Sequence, residues 1–169
     1  MALKPHELKQ LPLADTIDRM TQEGGLELYE RLPDNELKCY ACGHRCLIRD
    51  GRRGICKVRF NKDGTLYVPW GYVAALQCDP TEKKPFYHLL PGSDTLTFGM
   101  LGCDYHCPYC QNWLTSQALR DPAAGSTPTR VTPKALVGLG IRSGARVVGS
   151  SYNEPLITAE WAVSVFQEA

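Results

Sequence analysis

The chain has 169 residues, enough for one domain with a modest core. Its composition, 43% hydrophobic and 22% charged with a net charge of +1, is that of an ordinary globular protein and gives no electrostatic footprint for nucleic acid or an anionic membrane. Residues 1–20 are polar, so no signal peptide is expected, and no run approaches the ~20 apolar residues of a spanning helix. A cytoplasmic protein is expected, and in that compartment its eight cysteines read as thiols or metal ligands rather than disulfides.

In chain order, residues 1–36 are polar with helical patterning around Leu13, Ile17 and Met20, which predicts an N-terminal helical segment packed on the main body. Residues 37–93 form a Cys-rich and β-hairpin segment. Its first part, 37–62, is laced with Gly43, Gly51, Gly54 and basic residues and needs a staple to hold its shape. The run 65–75 (TLYVPWGYVAA) reads as an edge strand or bulged hairpin interrupted by Pro69 and Gly71. A polar, proline-bounded stretch, DPTEKKPFYHLLPGS, follows.

Residues 94–102 (DTLTFGMLG) read as a buried strand through Leu96, Phe98, Met100 and Leu101 that runs directly into Cys103. A linker over 121–130 precedes Thr132 and Pro133, an N-cap with proline at the first helical position. That helix carries Leu136, Val137, Leu139 and Ile141, and Gly144 closes it. RVVGSSYNEP, from Arg146, reads as a second short buried strand with a functional tip, and 158–169 as a helix presenting Trp161, Val165 and Phe166. The β–α–β–α order of residues 94–169 favours a parallel sheet with helical crossovers. Two strands do not make a stable parallel sheet, and no helix-stop signal closes the last helix. The expectation is a fragment of a longer barrel, or a fold completed by a partner chain.

The cysteines fall into two groups, with Cys78 alone as a small buried hydrophobe. Cys103, Cys107 and Cys110 are spaced x3 then x2 on one loop. Three thiolates hold three irons of a 4Fe–4S cluster and leave the fourth iron open, whereas a tetrahedral zinc site or a closed cluster needs four ligands. Asn153 and Glu154 lie just past the second strand. In a parallel β/α fold both motifs emerge at the C-terminal ends of strands, where ligands bind. His106 reads as solvent-facing or structural, and Gln111, Asn112 and Trp113 as braces of the loop.

GCDYHCPYCQNW resembles the CxxxCxxC signature of the radical S-adenosylmethionine superfamily, Tyr109 included. SYNEP, residues 151–155, resembles the GGEP-type motif of that superfamily with Tyr152 and Asn153 in place of the glycines. CYACGHRCLIRDGRRGICKVRFNKDGTLY, DPTEKKPFYHLLPGS and CQNW bring the resemblance to the pyruvate formate-lyase activating enzyme-like branch and the AmmeMemoRadiSam system proteins. The resemblance covers residues 37–157. It implies the N-terminal portion of a partial (β/α) barrel, preceded by a small Cys-rich segment. It implies a cluster on Cys103, Cys107 and Cys110, with S-adenosylmethionine chelating the open iron, Asn153 and Glu154 at the methionyl amino group, and Tyr109 near the adenine. The implied reaction is reductive cleavage to methionine and a 5′-deoxyadenosyl radical, which abstracts hydrogen from a substrate. It also implies a low-potential donor of flavodoxin or ferredoxin type. The target is a glycine of a partner protein or another molecule; activases commonly carry extra cysteines after the triad, and residues 111–169 contain none.

Cys39, Cys42, Cys46 and Cys56 supply four thiolates over 18 residues, with His44 among them. They suit a structural zinc, an auxiliary 4Fe–4S cluster or redox-active thiols. Arg45, Arg49, Arg52, Arg53, Lys57 and Arg59 crowd this region as a solvated face or a docking surface. The competing reading for the whole chain is a non-catalytic zinc or iron–sulfur module.

Overall fold

The computed structural model describes residues 13–121, 124 and 126–169; residues 1–12 of the expected N-terminal helix and positions 122, 123 and 125 of the expected linker lie outside the described residues. Over residues 13–36 the helix is confined to α1 (Leu13–Asp18), which seats Ile17, and Met20 just beyond it, in the main core. Gly24, Gly25 and Pro33 are poor helix residues, and the chain turns instead into β1 (Thr21–Glu23) and β2 (Tyr29–Arg31).

Then come β3 (Leu37–Cys39), β4 (Leu47–Ile48), β5 (Phe60–Lys62), β6 (Thr65–Pro69), β7 (Tyr72–Val73) and β8 (Ala75–Pro80). β9 (Asp94–Gly99) leads through the cysteine loop to α2 (Trp113–Ser116). β10 (Thr129–Arg130), α3 (Pro133–Arg142), β11 (Val147–Ser150) and α4 (Ala159–Glu168) follow, and short 3-10 turns, Pro155–Thr158 among them, link the elements. No helix among the described residues is long and apolar enough to cross a membrane.

Two small antiparallel sheets, ordered β2-β3-β4 and β1-β6-β5, carry the Cys-rich half. Asp63 and Gly64, at φ 53° and 74°, make the two-residue turn between β5 and β6, as an Asp-Gly pair between strands favours. The sheet that positions the site is β8-β9-β11: β9 pairs with β11 in parallel, Leu96 opposite Val148 and Phe98 opposite Ser150. On its other edge β9 pairs antiparallel with β8 over all six residues. β8 takes in residues 75–80, from the last residue of the expected hairpin, Ala75, to the first two of the polar, proline-bounded stretch, Asp79 and Pro80. Gln77 and Cys78 are exposed, so the apolar alternation of a half-buried strand is missing and the pairing with β9 alone defines it.

Leu96 and Phe98 of β9, and Met100 just past its end, enter the main core with Leu136 of α3 and Trp161 and Val165 of α4. Fully burying side chains of this size stabilises by about 1.5–3 kcal/mol each. The opposite face of β9 carries Thr95 and Thr97, both 1% exposed. Thr132 caps α3, its Oγ1 accepting from the Ala135 N–H at 3.2 Å, with Pro133 at the first helical position. Ile141 of α3 faces solvent, outside the core-facing stripe.

One ion pair locks the Cys-rich half to α4. Arg59 is 1% exposed, and its two terminal nitrogens each donate to a different oxygen of Glu160 at 2.7 Å. Removing one partner of such a pair strands a buried charge. Glu160→Ala is therefore expected to lower stability by about 3–5 kcal/mol, read from the midpoint and slope of urea unfolding.

Candidate functional site

The cysteine loop begins where β9 ends, and contacts within the protein hold its backbone. Gly102 sits at φ +86°, and a Cβ there would lie 2.6 Å from the Cys56 carbonyl oxygen and 2.7 Å from Val58 Cγ1. Only glycine lets the two Cys-rich segments meet this closely. The Gly102 N–H donates to the Thr115 carbonyl at 3.1 Å. Arg120 Nη2 donates to the carbonyls of Cys103 and Ile55, both at 2.8 Å, and so ties the loop to the first cysteine group.

Cys103 is buried; Cys107 and Cys110 are half-buried, their backbones joined by Cys110 N–H to Cys107 C=O at 3.1 Å. Cys110 Sγ lies 3.5 Å from Ser116 Oγ. Gln117 is 3% exposed and braces the loop from within, donating to the Tyr105 carbonyl and lying 3.0 Å from His106 Nδ1. His106 packs edge-on against Trp113. Its role in the structure is bracing, which spacing alone left open. Tyr109 is 83% exposed, on the solvent side of the loop.

The turn 151–154 continues from β11. The Ser151 N–H donates to the Phe98 carbonyl at 2.9 Å, extending the parallel pairing by one residue. A Cβ on Gly99 would lie 2.5 Å from the Ser151 carbonyl oxygen, so glycine lets the turn lie flat on the end of β9. Asn153 Oδ1 accepts from the Met100 N–H at 3.4 Å, three residues before Cys103. Asn153 Nδ2 is buried and has no partner among the described residues. Glu154 Oε1 accepts from the Leu156 N–H at 3.0 Å and caps the short helical turn Pro155–Thr158. The structure thus brings Asn153 and Glu154 to the strand end that launches the cysteine loop.

The other four cysteines line two neighbouring small cores. Cys39 and Cys46 pack with Tyr29 and Leu37; Cys56 and Cys42 pack with Val58 and Ile157. All eight cysteines are free thiols, and Cys78 is exposed on β8 rather than buried. Burial and the neighbouring Asp104 carboxylate push the Cys42 thiol up to about 12, and burial also raises Cys56. Metal loading here must therefore expel protons. Among the described residues no three His, Cys, Asp or Glu side chains stand close enough together to hold a metal ion.

Asp104 joins the two groups and is invisible in the spacing of the motif. Its side chain is 1% exposed, with Oδ2 at 3.8 Å from His44 Nε2 and Oδ1 at 4.0 Å from Cys103 Sγ. Of the six cations near the first group, Arg59 binds Glu160, Arg53 pairs with Asp18 and Arg49 with Glu36. Arg45, Arg52 and Lys57 are exposed. The segment 79–88 also reaches the site: Lys84 Nζ lies 3.1 Å from Asp79 Oδ2 and 3.4 Å from the Tyr152 hydroxyl.

The chain is 38% identical over 135 residues to Uncharacterized protein MJ0808 of Methanocaldococcus jannaschii, a match covering 79% of this chain and 39% of that protein. It is 31% identical over 98 residues to Uncharacterized protein MJ0674 of the same organism, covering 57% of this chain and 24% of that protein. The chain thus spans well under half the length of these curated relatives. No family model matches it, and no solved structure matches it significantly.

Proposed function

We propose that this chain carries the cluster and cofactor half of a radical S-adenosylmethionine enzyme, acting in the cytoplasm, within the first units of a (β/α) barrel. The observation that carries the reading is the bond from the Met100 N–H to Asn153 Oδ1. It joins the 151–154 turn to the strand end that leads into the three-thiol loop, at the C-terminal ends of two parallel strands, the edge where α/β folds bind ligands.

The donor types suit the group, although the three thiols are not gathered to ligand distances in this structure. Three soft thiols on one loop suit iron–sulfur ligation, with Cys103, Cys107 and Cys110 as the ligands. Asn153 Nδ2 is a buried donor without a partner among the described residues, and it suits an acceptor on a bound molecule such as the methionyl carboxylate. Glu154 has one oxygen committed to the Leu156 N–H, and the other suits the methionyl ammonium in a charge-assisted hydrogen bond. Tyr109, exposed on the loop, is a candidate adenine contact. When bound, a 4Fe–4S cluster with an open iron supplies one-electron reductive cleavage of S-adenosylmethionine, generating a 5′-deoxyadenosyl radical for hydrogen abstraction. The protein's own part is to hold the loop, present Asn153 and Glu154, and exclude water.

Asp104 and the Arg120 bridge support a joint role for the two cysteine groups. Cys39, Cys42, Cys46 and Cys56 bind either a structural zinc or an auxiliary cluster beside the first site. The exposed Arg45, Arg52 and Lys57 are proposed to dock an acidic flavodoxin- or ferredoxin-type donor. Anaerobic reconstitution of the full-length protein tests the reading. Brown protein whose reduced-cluster EPR signal changes on adding S-adenosylmethionine is expected. A colourless protein holding zinc at both groups supports the non-catalytic module instead.

A further inference from the structure

Tyr152 stands where the GGEP-type motif that residues 151–155 resemble has a glycine. Its φ is +70°, a conformation that glycine adopts freely and that is a genuine outlier for a bulky residue. Such a conformation persists only where its surroundings over-determine it. Two contacts do so here. Beneath the turn, Gly99 leaves room where a Cβ would lie 2.9 Å from Tyr152 Cβ. At the far end of the side chain, Lys84 Nζ lies 3.4 Å from the hydroxyl and 5.3 Å from the ring centroid.

Lys84 is itself fixed. Its side chain is 15% exposed and donates to Asp79 Oδ2 at 3.1 Å, while Lys83 takes Asp79 Oδ1 at 3.0 Å. Hydrogen bonds from Lys83 and Lys84 hold the Asp79 carboxyl below its usual range, so it stays charged at neutral pH. The base of this strut is anchored in turn. Thr81 Oγ1 lies 2.9 Å from both Ser93 Oγ and Thr95 Oγ1, fastening the segment to the threonine face of β9. The Lys84 ammonium, meeting both the ring and the hydroxyl of Tyr152, therefore braces the strained residue that immediately precedes Asn153 and Glu154.

We infer that Lys84, supported by Asp79, is a positioning residue for the cofactor turn, holding Tyr152 in the left-handed conformation that aims Asn153 and Glu154 at the amino-acid end of S-adenosylmethionine. The inference rests on the function proposed above. Segment 79–84 thereby gains a role in the site. A glycine would take the turn unaided, whereas this chain uses a tyrosine and an external strut. A relaxed Tyr152 would redirect the residues after it, including Asn153, whose Nδ2 has no partner among the described residues.

The experiment uses the full-length, anaerobically reconstituted protein and reads S-adenosylmethionine affinity from the titrated change in the reduced-cluster EPR signal. Lys84→Met is expected to weaken binding roughly ten-fold, the lower end of what supporting contacts around a ligand contribute, with cluster iron unchanged. Lys84→Arg, which can still bridge Asp79 and the Tyr152 hydroxyl, is expected to restore most of it. In a Tyr152→Gly background, whatever its own affinity, Lys84→Met is expected to add no further loss, because glycine needs no strut. Hydrogen exchange of residues 151–154 in cluster-free protein is expected to rise in Lys84→Met alone. Wild-type affinity in Lys84→Met overturns the inference. So does an equal loss in the Tyr152→Gly background, or a loss of iron along with binding, which makes Lys84 merely structural. If the wild-type protein with a full cluster shows no response to S-adenosylmethionine, the proposed function fails first and takes this inference with it.

Discussion

Replacing any one of Cys103, Cys107 or Cys110 with alanine is expected to lower S-adenosylmethionine cleavage by more than about 100-fold, beyond what losing a supporting contact around a metal costs. Under the proposed function three ligands leave no spare thiolate, so each would be required. The scaffold, by contrast, does not depend on the sulfurs. The loop is held by backbone and side-chain bonds that alanine keeps: Gly102 N–H to Thr115 C=O, Arg120 to Cys103 C=O, and Gln117 to Tyr105 C=O. Cys107 and Cys110 are only half-buried, so their removal is expected to change the stability of cluster-free protein by no more than about 0.5 kcal/mol. Cys103 is buried, and its loss should cost somewhat more. The pattern to look for in iron analysis and urea unfolding is loss of iron with an intact fold. Cys78→Ala, an exposed position on β8, serves as the control and should retain both.

Gly102→Ala is expected to be the most damaging glycine-to-alanine change among the described glycines, since it combines a positive φ with two close contacts. The φ of +86° penalises any L side chain by about 1–2 kcal/mol. The new methyl also meets the Cys56 carbonyl at 2.6 Å and Val58 at 2.7 Å, and overpacking of that kind adds about 1–3 kcal/mol. The sum, roughly 2–5 kcal/mol, should appear as a lowered urea midpoint. Loss of cluster iron should accompany it, because the methyl pushes the two Cys-rich segments apart. Gly144→Ala separates the two causes. Gly144 has a similar φ of +76° but nothing within 4 Å of the added methyl, so it should show the backbone cost alone.

The strand entering Cys103 was legible in the sequence because Leu96, Phe98 and Met100 repeat at the strand period and all enter the core. The α3 start was legible because Thr132 and Pro133 carry cap chemistry that acts locally. β11 was legible as a strand, though its four residues are half-buried rather than buried. What escaped were features made by residues far apart. β1 pairs with β6, so Gln22 finds Val68, and no local propensity announces it. β8 exists through its pairing with β9. Asp104 sits beside Cys103 in sequence, yet its importance comes from His44 and Cys42, across the junction that Gly102 permits. Tyr152 takes a glycine-like φ and meets Lys84 from 68 residues away, a contact that only the tertiary fold creates.

Cys103, Cys107 and Cys110 are proposed to hold a cluster that acts on S-adenosylmethionine bound at Asn153 and Glu154. The most direct measurement is the quantity of 5′-deoxyadenosine and methionine released from S-adenosylmethionine by the reconstituted full-length protein under strong reductant without oxygen. Both products are expected in equal amounts, dependent on all three cysteines. A protein with a full complement of cluster iron that releases neither product would contradict the claim.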